Sequence, residues 1–302
     1  MITTHSSESL QERLQRDLER RRAEMEAKRA EEERLRKELG VNCLRCRDTG
    51  TVEGRFCSCD IGYGLRVDAA RKEFLADLDE HLGIPLRFRG MTFDTYPNQR
   101  SAQLKQLREW VERFDGKRGL FITGGFGRGK SVLLCDALRR LVTAEAERRS
   151  FEVERDGVSL RPFDLKSYGP LAKRLGCFRT ITGLLQSLRP SDGNRMAHGG
   201  AEEYQLRTYQ EIPFLAIDDL GAERLTAWGA DRLFEIVNER HNELRPILLT
   251  SNLTPNALAT RWNQQVGDGE SGERIINRLI ESCDVIAFPA DAPNWRLRKE
   301  AA

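Results

Sequence analysis

Two groups of residues in this sequence have the types and spacing of ligating or reacting groups. The first is the run "FITGGFGRGKS", Phe121 to Ser131, in which Gly124-x-x-x-x-Gly129-Lys130-Ser131 follows an apolar segment and opens a helical pattern. Glycines let the backbone curl until successive N–H groups face one anion. A helix starting there adds the positive end of its dipole. Lys130 would then reach the β- and γ-phosphates of a nucleotide, and Ser131 would ligate Mg²⁺, which is the Walker A arrangement. The expected nucleotide contacts are Gly124, Gly125, Phe126, Gly127, Arg128, Gly129, Lys130, Ser131 and Val132. The plain alternative is a glycine-rich turn without a ligand, and the strand–loop–helix setting with its Lys-Ser pair argues against it. The spacing of Gly125, Gly127 and Gly129 is not the GxGxxG of dinucleotide folds.

The second group is Cys43-x₂-Cys46-x₁₀-Cys57-x-Cys59. Four thiolates suit tetrahedral Zn²⁺, although C-x-C is tighter than the usual C-x₂-C. Few apolar residues lie here, so a metal would have to supply the folding energy. An iron–sulfur cluster or free thiols are the alternatives. Arg45, Arg47, Arg55 and Arg66 surround the cysteines, with Phe56 and Tyr63 between them. Such a knuckle could touch DNA phosphates or stack a base; solvated surface arginines are the plainer outcome.

Three further motifs could complete a phosphate site. In "FLAIDDL" two carboxylates close an apolar strand, where ligands bind in parallel sheets. Asp218 would hold Mg²⁺ through water, and Asp219 could orient or deprotonate the attacking water, as in a Walker B element. In "ILLTSN" Asn252 ends a strand and could position that water; its alternative is a helix N-cap, a job Thr254 could take instead. In "GERIINRL" Arg274 and Arg278 share one helix face away from Ile275, Ile276 and Leu279. A guanidinium there could reach a neighbouring subunit's γ-phosphate, or simply be solvated.

The elements that must carry these groups follow from periodicity. Charged residues make up 32% of the 302, concentrated near the N-terminus, and the net charge of +2 is too balanced to imply nucleic-acid binding by itself. No apolar leader or membrane-length segment is present, so a cytoplasmic setting without membrane contact is expected. The remaining cysteines, Cys135, Cys177 and Cys283, are scattered and fit reduced thiols. Residues 1–40 read as a solvated charged helix stopped by Gly40, 41–66 as the Cys₄ zinc-binding module, and 67–100 as a helix and a linker punctuated by Pro85 and Pro97. From 101 to 302 strands "GLFIT", "CFRTIT", "IPFLAIDD", "PILLTSN" and "DVIAF" alternate with helices, which predicts a parallel sheet covered on both faces. One helix is expected to set Leu233, Ile236, Val237, Arg240 and Leu244 on one side. Residues 147–176 read as an insertion, with a small hairpin around Asp156–Gly157 and no assignable role.

Taken together, "GLFITGGFGRGKS", "FLAIDDLGAERLTAWGADRLFEIVNERHNELRPILLTSNL" and "GERIINRLIESCDVIAF" resemble the AAA+ ATPases of the DnaC/IstB type, bacterial helicase loaders and their transposition-helper relatives. The resemblance covers about Phe88 to Phe288. It implies an α/β AAA+ P-loop NTPase core, a parallel five-stranded sheet of order 5-1-4-3-2, lidless, with ATP and Mg²⁺ as cofactors. It also implies ATP-dependent homo-oligomers and single-stranded DNA contacts. It gives Lys130 and Ser131 the nucleotide and Mg²⁺ roles, Asp218 and Asp219 the Walker B acids, Asn252 sensor 1, Arg278 the finger and Arg274 a second contact to the neighbour. Asp219 stands where many AAA+ proteins have Glu, a departure that implies slow turnover. A lid's sensor 2 arginine is not expected, and Arg296 is a weak substitute. The segment "CLRCRDTG" is similar to the N-terminal zinc module of some loaders, which points to a loader of a replicative DNA helicase. An IstB-type transposition helper shares every ATPase residue. A P-loop small-molecule kinase and a zinc adaptor that binds ATP without turning it over are more distant alternatives.

Overall fold

The computed structural model describes residues 10–155, 174–189, 199–295 and 297. The insertion's centre, the Asp156–Gly157 hairpin and Arg296 lie outside them. The chain divides into two compact units, residues 1–71 and 72–302.

The smaller unit starts with helix α1 (Leu10–Leu39). Its described face has no core to meet: Leu18, Met25 and Leu39 are each more than half exposed. Acid–base pairs such as Glu33–Lys37 (2.9 Å) and Arg20–Glu24 (3.6 Å) line it. Such exposed pairs add only a few tenths of a kcal/mol each. The helix stops where Gly40 takes φ +63°. A knuckle follows, closed by a two-residue hairpin of β1 (Thr51–Val52) and β2 (Arg55–Phe56). Helix α2 (Asp60–Leu82) then begins directly after Cys59, eight residues before the expected "DAARKEFLADLDEHLG". Gly62 and Gly64 read as loop residues in the sequence. Gly62 is instead a helical glycine at a close approach, where a Cβ would collide with the Cys57 carbonyl oxygen.

In the larger unit the stretch expected as a linker carries core residues. Ile84 and Phe93 are fully buried and Tyr96 nearly so, beside the equally buried Leu82 at the end of α2. Arg139, on the helix after the glycine loop, holds this stretch by pairing with Asp79 (2.5 Å) and donating to the carbonyls of Phe88 and Met91. Helix α3 (Ala102–Glu112) is capped by Ser101. Strand β3 (Gly119–Thr123) leads into the glycine loop and helix α4 (Lys130–Arg155). The chain continues through β4 (Gly176–Thr180), α5 (Ile181–Ser187), α6 (Gly199–Glu211), β5 (Phe214–Leu220), α7 (Ala227–Asn242), β6 (Ile247–Ser251), α8 (Pro255–Val266), α9 (Ser271–Ser282) and β7 (Cys283–Ala287).

The five strands β4-β5-β6-β3-β7 pair in parallel. Counted along this unit, that is the expected order 5-1-4-3-2. Every residue of β3 and β6 is buried, as central strands covered on both faces require. One face packs on α4 with Leu82 and Phe93, the other on α5–α9. Leu244 departs from its expected place: α7 ends at Asn242, and Leu244 turns out at φ +52° with 59% exposure. Its neighbour Arg240 is the inward residue, 1% exposed. Its guanidinium donates to the carbonyls of Tyr209, Ile212, Pro213 and Pro246 and so ties the entries of β5 and β6 together.

Candidate functional site

The C-terminal ends of β3, β5 and β6 bring the sequence motifs to one cavity of about 720 Å³. Lys130, Ser131, Asp218, Asp219, Thr250 and Asn252 line it together. The loop from Gly124 to Gly129 leaves β3 and ends at the first residue of α4, so the helix's free N–H groups open into the cavity. Lys130 is 7% exposed. Its ammonium donates to the carbonyls of Gly124 (2.7 Å) and Gly125 (2.9 Å) and to Asn252 Oδ1 (2.7 Å).

The two acids are held in different ways. Asp218, 2% exposed, accepts from Thr250 Oγ1 at 2.6 Å, with Ser131 nearby. Burial raises its pKa above the usual carboxylate range, against the pull of those two hydroxyls. Asp219 sits at φ +63°, a conformation few non-glycine residues adopt. A shift in the β5–β6 register between Ile217 and Leu220 accompanies it. The turn is fixed from two sides: the Asp219 N–H donates to Thr250 Oγ1 (2.9 Å), and Asn252 Nδ2 donates to Asp219 Oδ1 (2.5 Å). Strained backbone at the end of a strand, over-determined by its neighbours, is typical of functional sites. Asn252 therefore bridges the lysine and the second acid. The N-cap of α8 is Thr254, so Asn252 has no capping role.

Ser131 lies close enough to Asp218 to favour its charged form, and the two oxygens make a pair that fits a hard divalent cation next to phosphate. They are the residues that would hold Mg²⁺. Arg274 and Arg278 are not brought to this cavity. Arg274 lies 4.5 Å over the Phe234 ring, and Arg278 pairs with Glu281 (3.0 Å) on α9 with 40% of its side chain exposed.

In the smaller unit all four thiol sulfurs of Cys43, Cys46, Cys57 and Cys59 lie within 4.8 Å of one another. Cys43–Cys57 are 3.7 Å apart and Cys46–Cys59 3.5 Å. Bonds of about 2.3 Å to a tetrahedral ion imply sulfur–sulfur edges of about 3.8 Å, so the set fits Zn²⁺. Asp48 ties the knuckle by accepting from the backbone N–H of Cys43 (2.8 Å) and Asn42 (2.9 Å). The Cys46 backbone N–H directed at the Cys43 sulfur brings that thiol down to about 7. All seven cysteines are free thiols.

Several residues in the larger cavity carried no sequence signal. Thr250 fixes both acids. It stands on β6 two residues before Asn252, which directly follows that strand, and period-two alternation could have singled it out. Arg87 lies close enough to Asp218 to favour its charged form. Tyr96 and Trp295, one before α3 and one after β7, also line the cavity. Just beyond the acids, Glu223 is buried and accepts from the Gly221 N–H (2.9 Å) and from Trp262 Nε1 (2.6 Å), which closes the turn that follows Asp219.

Residues 177–301 match the model of a family described as IstB-like ATP binding protein. The match begins after the glycine loop, whose assignment rests on its own motif and geometry. An ATP-binding protein of an insertion sequence in Mycobacterium tuberculosis is 32% identical over 95 residues, 32% of this chain and 36% of that protein. The replicative helicase loader DnaI of Bacillus subtilis is 26% identical over 250 residues, 79% of this chain and 68% of the loader. A crystal structure of the DnaC helicase loader matches at 22% identity with a TM-score of 0.47, covering 68% of this chain and 100% of that one. The chain thus spans about a third of the insertion-sequence relative. The resemblance read from the motifs holds at the level of these ATP-binding relatives, and the sheet has the parallel five-stranded order that the resemblance implies. No helix among the described residues is long and apolar enough to cross a membrane.

Proposed function

We propose that this chain is an ATP-dependent loader that delivers a replicative DNA helicase onto single-stranded DNA in the cytoplasm. The similarity to a helicase loader over 79% of the chain carries this reading, against 32% for the insertion-sequence protein. A four-thiol module ahead of the nucleotide core supports it, since the simplest transposition helpers resemble the core alone.

Catalysis in this reading is positioning and electrostatics. The backbone N–H groups of the loop and the Lys130 ammonium bind the β- and γ-phosphates. Lys130 exchanges its present carbonyl partners for phosphate oxygens. Ser131 and Asp218 would hold Mg²⁺, which would neutralise charge on the phosphates. Asp219, pinned by Thr250 and Asn252, orients water for in-line attack and accepts its proton, while Asn252 keeps that carboxylate aimed. Arg278 leaves its surface partner Glu281 to meet a neighbour's γ-phosphate, so hydrolysis needs a homo-oligomer, and Arg274 braces the same boundary. Cys43, Cys46, Cys57 and Cys59 hold Zn²⁺ and build the helicase-docking module. ATP binding assembles the subunits on DNA, and hydrolysis releases the helicase.

The test is capture of the purified replicative helicase by the full chain, with and without ATP and Mg²⁺. Capture with ATP is expected. No capture in any nucleotide state, with retention instead by a transposase, would transfer the reading to an ATP-dependent transposition helper. The insertion-sequence relative and the family match favour that second reading.

A further inference from the structure

The cavity around Lys130 has more lining than a triphosphate would use. Met91, Tyr96, Pro97, Phe126 and Trp295 add an apolar and aromatic share to the polar set of the glycine loop, β5 and β6. The two largest of these aromatics come from opposite ends of the larger unit, and both are fastened to the phosphate loop. The backbone N–H of Trp295 donates to the Gly127 carbonyl at 2.9 Å. Its indole lies beside the Tyr96 hydroxyl, which donates to the Arg128 carbonyl at 2.8 Å. The two rings meet edge to face, with centroids 6.3 Å apart. The loop also grips the segment after β7, through Arg128 Nη2 donating to the Ala290 carbonyl at 2.8 Å. Beside Trp295, the Asn294 amide fills the space over Gly127, which sits at φ +73° where a Cβ would collide with it.

We propose that residues 289–295 form a strap over the phosphate loop, and that Trp295 is the residue against which the purine base of the bound nucleotide packs. Tyr96 is its positioning residue. This inference rests on the nucleotide reading above. Its physical ground is the juxtaposition of a flat, amphipathic ring with a phosphate cradle in one cavity. The residue is held through its backbone, and its ring lines the cavity beside the loop, where a flat amphipathic side chain suits a base. Because the strap's hydrogen bonds end on Gly127 and Arg128, the loop that closes on phosphate also sets where the indole stands. Binding of the two halves of the ligand is thereby linked through the protein.

The experiment is calorimetric titration of the full chain and its variants with MgATP and, separately, with inorganic tripolyphosphate. Trp295→Ala is expected to weaken ATP about tenfold, the size of one base–aromatic stack, and to leave tripolyphosphate unchanged. Trp295→Phe should keep most of the ATP affinity. Unchanged ATP affinity in Trp295→Ala would overturn the proposal. So would an equal loss for both ligands, which would make the indole a prop for the loop. If the unaltered chain binds tripolyphosphate but gains nothing from the base, the inference alone falls. If it binds neither, the nucleotide reading falls and takes the inference with it. Should Trp295→Ala fail to fold, the indole fluorescence of the unaltered chain decides. ATP must change it, and Trp295→Phe must abolish that change; an identical response in both would refute the strap.

Discussion

The nucleotide cavity and the cysteine knuckle are both short, spaced motifs, yet they hold their geometry by opposite means. Around Lys130 the positions are set by buried strands: β3 and β6 are buried along their whole length, and the acids, Thr250 and Asn252 are fastened to them. The site is prebuilt, and its ligand adds to a core that stands without it. Around Cys43 the strands are two residues long, with Arg55 and Phe56 exposed, and the knuckle's buried apolar groups are Cys46 and Cys57 themselves. There the four thiols are themselves the core, and a metal held by them would stabilise it. The same kind of sequence signal thus marks a site that the fold supports in one unit and a site that supports the fold in the other.

Stripping the metal is the hardest blow to that contrast. A structural zinc site contributes on the order of 10 kcal/mol, far more than the knuckle's hydrogen bonds supply. Cys46→Ser, or a strong chelator, should remove one zinc per chain by elemental analysis and collapse hydrogen-exchange protection over residues 41–59. ATP binding by the larger unit should persist. Retained protection in metal-free protein would erase the difference between the two regions.

The next effect belongs to the nucleotide site alone. If Arg278 completes a neighbour's site, Arg278→Ala should lower ATP turnover on the order of 10³-fold and leave the affinity of one chain for ATP nearly unchanged. The turnover of the unaltered chain should rise with protein concentration. Turnover independent of concentration and indifferent to Arg278 would favour a phosphotransferase that works as a monomer.

The smallest effect tests how far burial governs the prebuilt region. Burial raises the pKa of Glu223 above its ordinary value. Below that ordinary value the group is protonated in both folded and unfolded chains. Between it and the raised folded value the folded chain holds more protons, so stability falls as pH rises through that window. Glu223→Gln cannot ionise. It gives up one of two accepted hydrogen bonds and should melt lower at acid pH, but its Tm should drop less than the unaltered chain's between about pH 5 and about pH 7.5, by a few °C. Equal slopes would show that Glu223 stays ionised throughout.

What was legible in the sequence follows the same divide. Apolar strands and the motifs at their ends are local signals, and from them a parallel sheet, Lys130, Ser131, Asp218, Asp219 and Asn252 can be read, whereas the order of the strands comes with the family resemblance. Residues that reach the cavity from far along the chain left no such trace. Tyr96 falls in the proline-bounded stretch that reads as a linker, and Trp295 carries no motif, because nothing nearby in the sequence shows that each packs on the glycine loop. The start of α2 was missed because Gly62 reads as a breaker, whereas its lack of a side chain admits the Cys57 carbonyl. Leu244 was read inward from helical spacing, but its helix ends at Asn242.

The central claim is that main-chain amides of the glycine loop and the Lys130 ammonium bind the triphosphate of ATP. Calorimetric titration of MgATP into the full chain and into Lys130→Ala tests it most directly. The account predicts one site per chain, weakened on the order of 100-fold by the substitution, with the melting temperature of the ligand-free protein nearly unchanged. An absence of binding heat, or equal affinity in the two proteins, would contradict it.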